Sequence, residues 1–375
     1  VEQNRFSGIH FSNVSESMLI NVAATRTING EIRFGNNNNN PNDVRSASGI
    51  FFTGCNDIYA NELHAYNNDY TGIIIHNSTD ITIDGSETYN NGGSGIGSRN
   101  ADNCNFYNIE SHDNGFTEYP STNPPHFSNV SINGDCSIIN DVTTYNSSGS
   151  GLNIGHACSE ESRSNYTIAN DVNSFNNILE GVTIKGADYI QLTNSQIHNN
   201  LRNNILVKDE ECSSSPGIIW TTNYARITDS DIYGYYDSPI FPIPNIVCSS
   251  FFSQQDCEDQ YFCEYNNSQC EIDNLGGYGI RIQGSYGHYI NRGVNIYDNF
   301  AQGIGILNSQ DTSEPAAYIG PEVTIYDNGR ADELSDADGG IPSHTSAGIF
   351  INYSSDRKFE EKYQTVIQLS SNSIS

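Results

Sequence analysis

Five of the chain's 16 basic residues fall at matching places in a recurring phrase. The phrase is a small residue followed by an apolar–any–apolar triplet, as in "GIIIH" at 72–76. Its outward places hold Arg33, Arg99, Lys185, Lys208 and Arg281, with His76 closing the phrase at 72 and Phe51 and Phe350 as exposed rings. None of the chain's 45 acidic residues stands at those places. Cations interleaved with aromatic rings form a track for an anionic or carbohydrate polymer. The blander reading is that parallel strands avoid acidic side chains and these residues only cover a sheet. Glycoside hydrolysis needs two carboxyl groups flanking the bond, and the outward places offer none. Loop acids such as Asp113 and Glu118 lie outside this pattern.

The cysteines offer a second chemistry. Cys248, Cys257, Cys263 and Cys270 crowd into "CSSFFSQQDCEDQYFCEYNNSQC". That density reads as a disulfide-stapled insert spanning 242–276. Zinc is the rival, but the stretch has no CxxC pair and no His. Cys104 and Cys136 fall at the same turn of neighbouring repeats, which predicts a bridge between them. Cys158 and Cys212 lie in two long loops and are expected to pair, leaving Cys55 free. With nine cysteines, one lacks an intrachain partner.

Sequons for N-glycosylation stand at Asn13, Asn77, Asn129, Asn146, Asn165, Asn266 and Asn352. Together with the cysteine cluster they point to a secreted, extracellular or cell-surface glycoprotein of eukaryotic or viral origin.

The elements that position these groups come from a repeat. The phrase occurs as "GIHF" at 8, "EIRF" at 31, "GIFF" at 49, "GIII" at 72 and "GIGS" at 95. It continues as "GLNI" at 151, "GVTI" at 181, "NILV" at 204, "GIRI" at 279, "GIGI" at 303 and "GIFI" at 348. Close spacings are about 19–24 residues, the length of one solenoid coil. Two short alternating segments follow most copies and end in Asn-rich punctuation, as in "DITIDGSETYNN". Three short strands per repeat without helical periodicity predict an all-β, right-handed parallel β-helix of about 13 coils, one domain over 1–375. A leucine-rich repeat of similar length would need leucines that the chain lacks. Longer excursions are expected at 115–125, 156–166, 209–220, 242–276 and 327–346.

Composition sets the outer bounds. The chain has 375 residues, 36% of them hydrophobic, and a net charge of −29. That charge repels nucleic acid, and no apolar run is long enough to span a bilayer. The chain starts at Val1 without a signal-peptide pattern, which is uninformative because such signals are removed. No cofactor is indicated, and calcium is left open.

Two stretches, "DYTGIIIHNSTDITIDGSETYNN" (69–91) and "EGVTIKGADYIQLTNSQIHNN" (180–200), resemble the catalytic β-helix module of mannuronan C5-epimerases. The resemblance covers roughly 45–235 and is carried largely by general β-helix grammar. The family's Tyr-Gly-Phe-Asp-Pro-His signature falls on "TGIIIH", residues 71–76. His76 matches the family's His. Ile74 stands in the Asp place and Thr71 in the Tyr place, with Tyr70 next door. Arg45 is nearest to the family's upstream basic residue. Uronate epimerases and lyases neutralise a carboxylate, remove the C5 proton and deliver a proton elsewhere. The resemblance therefore implies a reduced site with His76 as base, Arg99 on the carboxylate and Tyr70 or Tyr119 as acid. The Asp is missing, and a Tyr displaced by one place turns to the other side of the strand.

Two functions follow. The first is a glycosylated rod, a structural or interaction unit of an extracellular fibre, appendage or coat. Its expected partners are carbohydrate and copies of itself stacked end to end, because both termini read as uncapped coils. The second is a uronate epimerase or polysaccharide lyase using the outward stripe as its groove. A glycan on Asn77, beside His76, would obstruct the second.

Overall fold

Alternation governs the two ends of the strand Ile73–Asp84, where Ile73, Ile75, Ile81 and Ile83 are fully buried, and between them a corner with left-handed Asn77 and Asp80 turns buried Ser78 inward. Period-two burial is what a strand with one face on a core requires. The chain is described by a computed structural model covering residues 7–26, 48–115, 127–155, 163–211, 219–234, 263–266, 269–272, 277–299, 302–307, 316–328, 348–352 and 367–369.

Strands stack on the equivalent strand of the next coil, not on their sequence neighbours. Ile50 pairs with Ile73, and Ile73 with Ile96, all in parallel. The described strands include a single 26-stranded sheet wound in this way. This is the right-handed parallel β-helix, the hand that parallel crossovers take. First-strand rungs begin at Ile9, Ile50, Ile73, Ile96, Val130, Leu152, Val182, Ile205, Ile280, Ile304 and Ile349. Their inward Ile, Val and Leu join one continuous core.

Two details differ from the sequence reading. The rung Ile9–Ser12 pairs directly with Ile50–Thr53, so "EIRF" at 31 is no rung between them. Arg33 lies outside the described residues. Conversely, Val130–Ile132 is a rung that the phrase search passed over; Asn129 stands there in the place that glycine holds in most copies. That glycine matters elsewhere: a Cβ on Gly72 would meet the Gly95 carbonyl oxygen at 2.7 Å.

Two side-chain columns tie the coils together. A line of asparagine amides runs through Asn68, Asn91, Asn114, Asn129, Asn177, Asn200, Asn204, Asn299 and Asn328. Each donates to the next at 2.7–3.4 Å. The second is a stack of rings: Tyr66, Tyr89, His112, Tyr145, Phe175, His198, Tyr233, Tyr297 and Tyr326. Their centroids are 4.6–5.3 Å apart and their planes within 1–9°. These residues end the third strand of each coil and precede left-handed Asn, Asp or Gly residues such as Asn67, Asn90 and Asp113. Short polar side chains tolerate that backbone region.

The expected Cys104–Cys136 bridge does not form; both thiols are free, as is Cys55. Asn105 is in register with Ile138, so Cys136 stands one place off Cys104 in the ladder. Cys104 therefore enters the core while Cys136 sits exposed at a left-handed turn. Cys158, Cys212, Cys248 and Cys257 lie outside the described residues. In the 242–276 stretch, Cys263–Asn266 and Gln269–Ile272 form an antiparallel pair apart from the main sheet. This gives the backbone of Cys263 and Cys270 only. Among the described residues no helix is long and apolar enough to cross a membrane.

Candidate functional site

The first-strand face is where the sequence placed chemistry, and the fold assembles it rung by rung. Thr53, His76 and Arg99 are in register on three consecutive coils. Ile74 and His76 point away from the core, as the alternation required, while Ile73 and Ile75 enter it. His76 and Arg99 are therefore neighbours about 4.8 Å apart along the axis. Arg99 is exposed and His76 half-buried. Tyr70 sits in the bend before the strand, its ring edge-on to Phe127 at 5.5 Å. Tyr119, Arg45 and Glu118 lie outside the described residues. Where the epimerase signature has Asp, Ile74 is half-buried against Phe51 and Gly97 in the ladder.

Phe51 faces outward but is not an exposed ring. It is only 3% accessible, packed between His10 at 4.9 Å and His76 at 6.5 Å. Of Phe350 the structure gives the backbone alone.

Further along the same face, Lys185 and Lys208 occupy one position on adjacent rungs, followed by Gln283. Arg281 stands one column over and is covered, at 4% accessible, with its Nη2 donating to Gln283 Oε1 at 3.0 Å. The stripe is thus part surface and part covered by its neighbours.

Sequence reasoning missed Glu180. It lies just before the rung Val182–Lys185, at a place held in other coils by Ser48, Thr71, Ser94, Ser150 and Asn203. A lone Glu among small polar residues was the available signal. Glu180 is 3% accessible. Ser150 Oγ donates to its Oε2 at 3.2 Å and Asn203 Nδ2 to its Oε1 at 3.3 Å. Arg202 Nε lies 3.8 Å from Oε1. Ser150 also meets the outward Thr183 at 2.9 Å, which ties Glu180 to the face. Glu180 is not at one of the outward places, which hold no carboxylate; it lies buried just before the strand. Burial pushes the Glu180 carboxyl up, but Arg202, Lys185, Arg281 and the Asn203 hydrogen bond together hold it below the ordinary range. It is a fixed anion inside a cationic neighbourhood.

Asp209 was also missed. It directly follows Lys208, where the chain leaves the coil. Its Oδ1 accepts the Thr222 amide at 2.7 Å. Burial raises its pKa to about 7, against the Thr222 hydrogen bond and the Lys208 charge. The result is a carboxyl that titrates near neutrality at the margin of the basic patch.

The sequons divide by geometry. Asn129 belongs to the amide line, is fully buried, and donates to the Tyr145 carbonyl at 2.9 Å. A glycan there is incompatible with the fold, which corrects that expectation. Asn13 and Asn77 are exposed in left-handed turns, and Asn146 and Asn165 are half-buried. Asn266 and Asn352 are described by backbone alone.

The third-strand ring column does not offer a sugar platform. Each ring covers its neighbour's face, so along the column only ring edges reach solvent. No group of metal-ligating side chains forms among the described residues.

No family model matches the chain, and no curated protein matches it. Solved structures do resemble it. One is the Azotobacter vinelandii mannuronan C-5 epimerase AlgE4 A-module, with TM-score 0.43 and 14% identity, covering 74% of this chain and 68% of that one. Another is the periplasmic alginate epimerase AlgG, with TM-score 0.43 and 13% identity, covering 84% and 72%. A third is PfbA, a surface adhesin of Streptococcus pneumoniae, with TM-score 0.42 and 8% identity, covering 81% and 78%. At these identities the likeness concerns the fold.

Proposed function

We propose that this chain is an extracellular β-helix rod that binds an anionic polysaccharide along its first-strand face without transforming it. The observation that carries this reading is the in-register pair Lys185–Lys208, set beside Arg202 and Arg281 on a chain of net charge −29. Lys185, Arg202 and Arg281 surround the fixed anion Glu180, and Asp209 adjoins Lys208; we read the cluster as a locally basic patch on an acidic chain. Such a patch attracts a polyanion that the rest of the rod repels. Rungs repeat at about 4.8 Å, so cations in one column can meet successive acidic sugars of a chain laid along the axis. Chemistry at His76 is disfavoured because Ile74 supplies no charge where the epimerase signature has Asp. Exposed Asn77, beside it, would carry a glycan.

Titration calorimetry of the full chain with alginate and polygalacturonate tests the reading. Binding that weakens with salt and is lost in Lys185→Glu/Lys208→Glu supports it. Equal affinity of the variant, or no binding of any polyuronate, rules it out.

The rod would also serve as a unit of a fibre or coat, because the end rung of any parallel solenoid presents unpaired backbone groups for a second copy. Negative-stain microscopy distinguishes filaments with an axial repeat near one rod length from single short rods.

One observation favours a second reading, a uronate epimerase or lyase: His76 and Arg99 are in register on adjacent rungs. Proton NMR of polyuronates incubated with the protein decides it. Turnover that is lost in His76→Ala would replace the binding reading with catalysis.

A further inference from the structure

At one corner of the solenoid, the left-handed turn position is held on consecutive coils by Cys136, Tyr166, Tyr189 and Tyr224, with φ of 59°, 58°, 60° and 57°. The backbone hydrogen bonds Cys136 N to Asn165 O, Tyr166 N to Asp188 O and Tyr189 N to Asn223 O fix them as one column. The three phenols lie face to face. Tyr166 and Tyr189 have centroids 5.0 Å apart and planes 1° from parallel. Tyr189 and Tyr224 follow at 4.9 Å and 12°. Unlike most rings of the long third-strand column, these project from the surface, with Tyr166 58% and Tyr189 47% accessible.

Accessibility and adjacency together have a chemical consequence. A one-electron oxidant can reach such a phenol from solvent. Two phenoxyl radicals held one rung apart meet at an effective concentration that no pair of separate molecules reaches. Their ring carbons are too far apart to bond in the resting stack, so one ring must swing toward the other. Tyr166, the end ring of this stack and the most exposed, can do so, while Tyr189 stays between Tyr166 and Tyr224.

We propose that Tyr166 and Tyr189 are a site of oxidative phenol coupling, a cross-link between neighbouring coils made by a hydrogen-peroxide-dependent peroxidase. Each phenol gives up one electron and one proton, and hydrogen peroxide takes both pairs to yield two waters. The two radicals join through a carbon ortho to each oxygen. The hydrogens displaced from those carbons move to the oxygens and restore both phenols. The protein loses two hydrogens in total and gains one carbon–carbon bond. The bond closes the chain between Tyr166 and Tyr189 and fastens one coil to the next. It would act as a covalent staple for a rod whose described thiols form no disulfide with one another. This inference does not depend on polysaccharide binding.

The test is treatment of dilute, full-length protein with horseradish peroxidase and hydrogen peroxide. Readouts are dityrosine fluorescence, intact mass and cross-linked peptides after proteolysis. The expected product is a monomer two hydrogens lighter, with one linked peptide pair joining Tyr166 to Tyr189. Tyr189→Phe, checked for native circular dichroism, is expected to lose at least nine-tenths of the fluorescence, whereas Tyr145→Phe in the long column keeps it. The proposal is overturned by coupling that occurs only between molecules. It is equally overturned by linked peptides that map elsewhere, or by no coupling under conditions that couple free tyrosine.

Discussion

Lys185 and Lys208 stand in the same outward column on adjacent rungs, with the buried carboxylate of Glu180 charge-coupled to Lys185. Like charges one rung apart repel, so the arrangement is tolerable because Glu180 answers part of the charge from below. Replacing both lysines with Glu is expected to weaken polyuronate binding at least about tenfold, about 1.4 kcal/mol. Calorimetry at two salt concentrations checks this, and the wild-type affinity should fall more steeply with salt than any residual binding of the variant.

Glu180 should be a stability residue as well. Removing one partner of a buried ionic cluster leaves the others uncompensated, at a cost of about 3–5 kcal/mol. Glu180→Gln keeps the shape and the Asn203 contact but not the charge. Its unfolding midpoint in urea is expected to drop clearly, with the slope unchanged. A midpoint within error of wild type would show that solvent already screens the cluster.

The amide line predicts a sharp position effect. Asn91 Nδ2 donates to the Ala65 carbonyl at 2.8 Å and to Asn114 at 2.9 Å, and its Oδ1 accepts from Asn68. Asn91→Ala strands buried partners on both sides and is expected to cost about 2–3 kcal/mol. Exposed Asn90, its neighbour, should tolerate Asp with little change. Thermal melts of the two variants compare them directly.

The pH dependence has two opposing parts. Burial drives the His288 imidazole down to about 3, so the folded state prefers it neutral. Its contribution is complete above the ordinary His value near 6.5 and is lost as pH falls toward about 3, by at most about 1.4 kcal/mol per unit. Burial raises Asp209 to about 7, so the folded state prefers it protonated. Its contribution is complete below the ordinary Asp value near 3.9 and is lost as pH rises through about 7. Asp209→Asn keeps the acceptor for the Thr222 amide and removes the charge. It is expected to raise stability at pH 8 by on the order of 1–2 kcal/mol and leave stability at pH 4 nearly unchanged. Urea titrations at both pH values test the sign.

Glycopeptide mapping of secreted material should find Asn129 unmodified and Asn13 and Asn77 occupied. Occupied Asn129 would contradict the amide line, because its Nδ2 already donates to Tyr145 and Asn177.

The sequence by itself determined the strands, their inward and outward faces and the parallel stacking. Those properties rest on a period of two and a repeat length, both local. It also exposed Lys185, Lys208 and His76 as outward residues, because alternation alone assigns them. Tertiary structure decided which outward residues are covered. Phe51 and Arg281 point outward yet are buried: the His10 and His76 rings of the neighbouring rungs pack on Phe51, and Arg281 is covered and bonded to Gln283. A one-place offset between coils sent Cys104 into the core and Cys136 into solvent, and no spacing rule resolves a single residue in turns of unequal length. Asn129 looked like a surface sequon, and only stacking showed it to be a link in a buried line. Glu180 gained its meaning the same way: its partners come from four different coils, and only their alignment along the axis makes a buried charge and a cationic surface out of scattered residues.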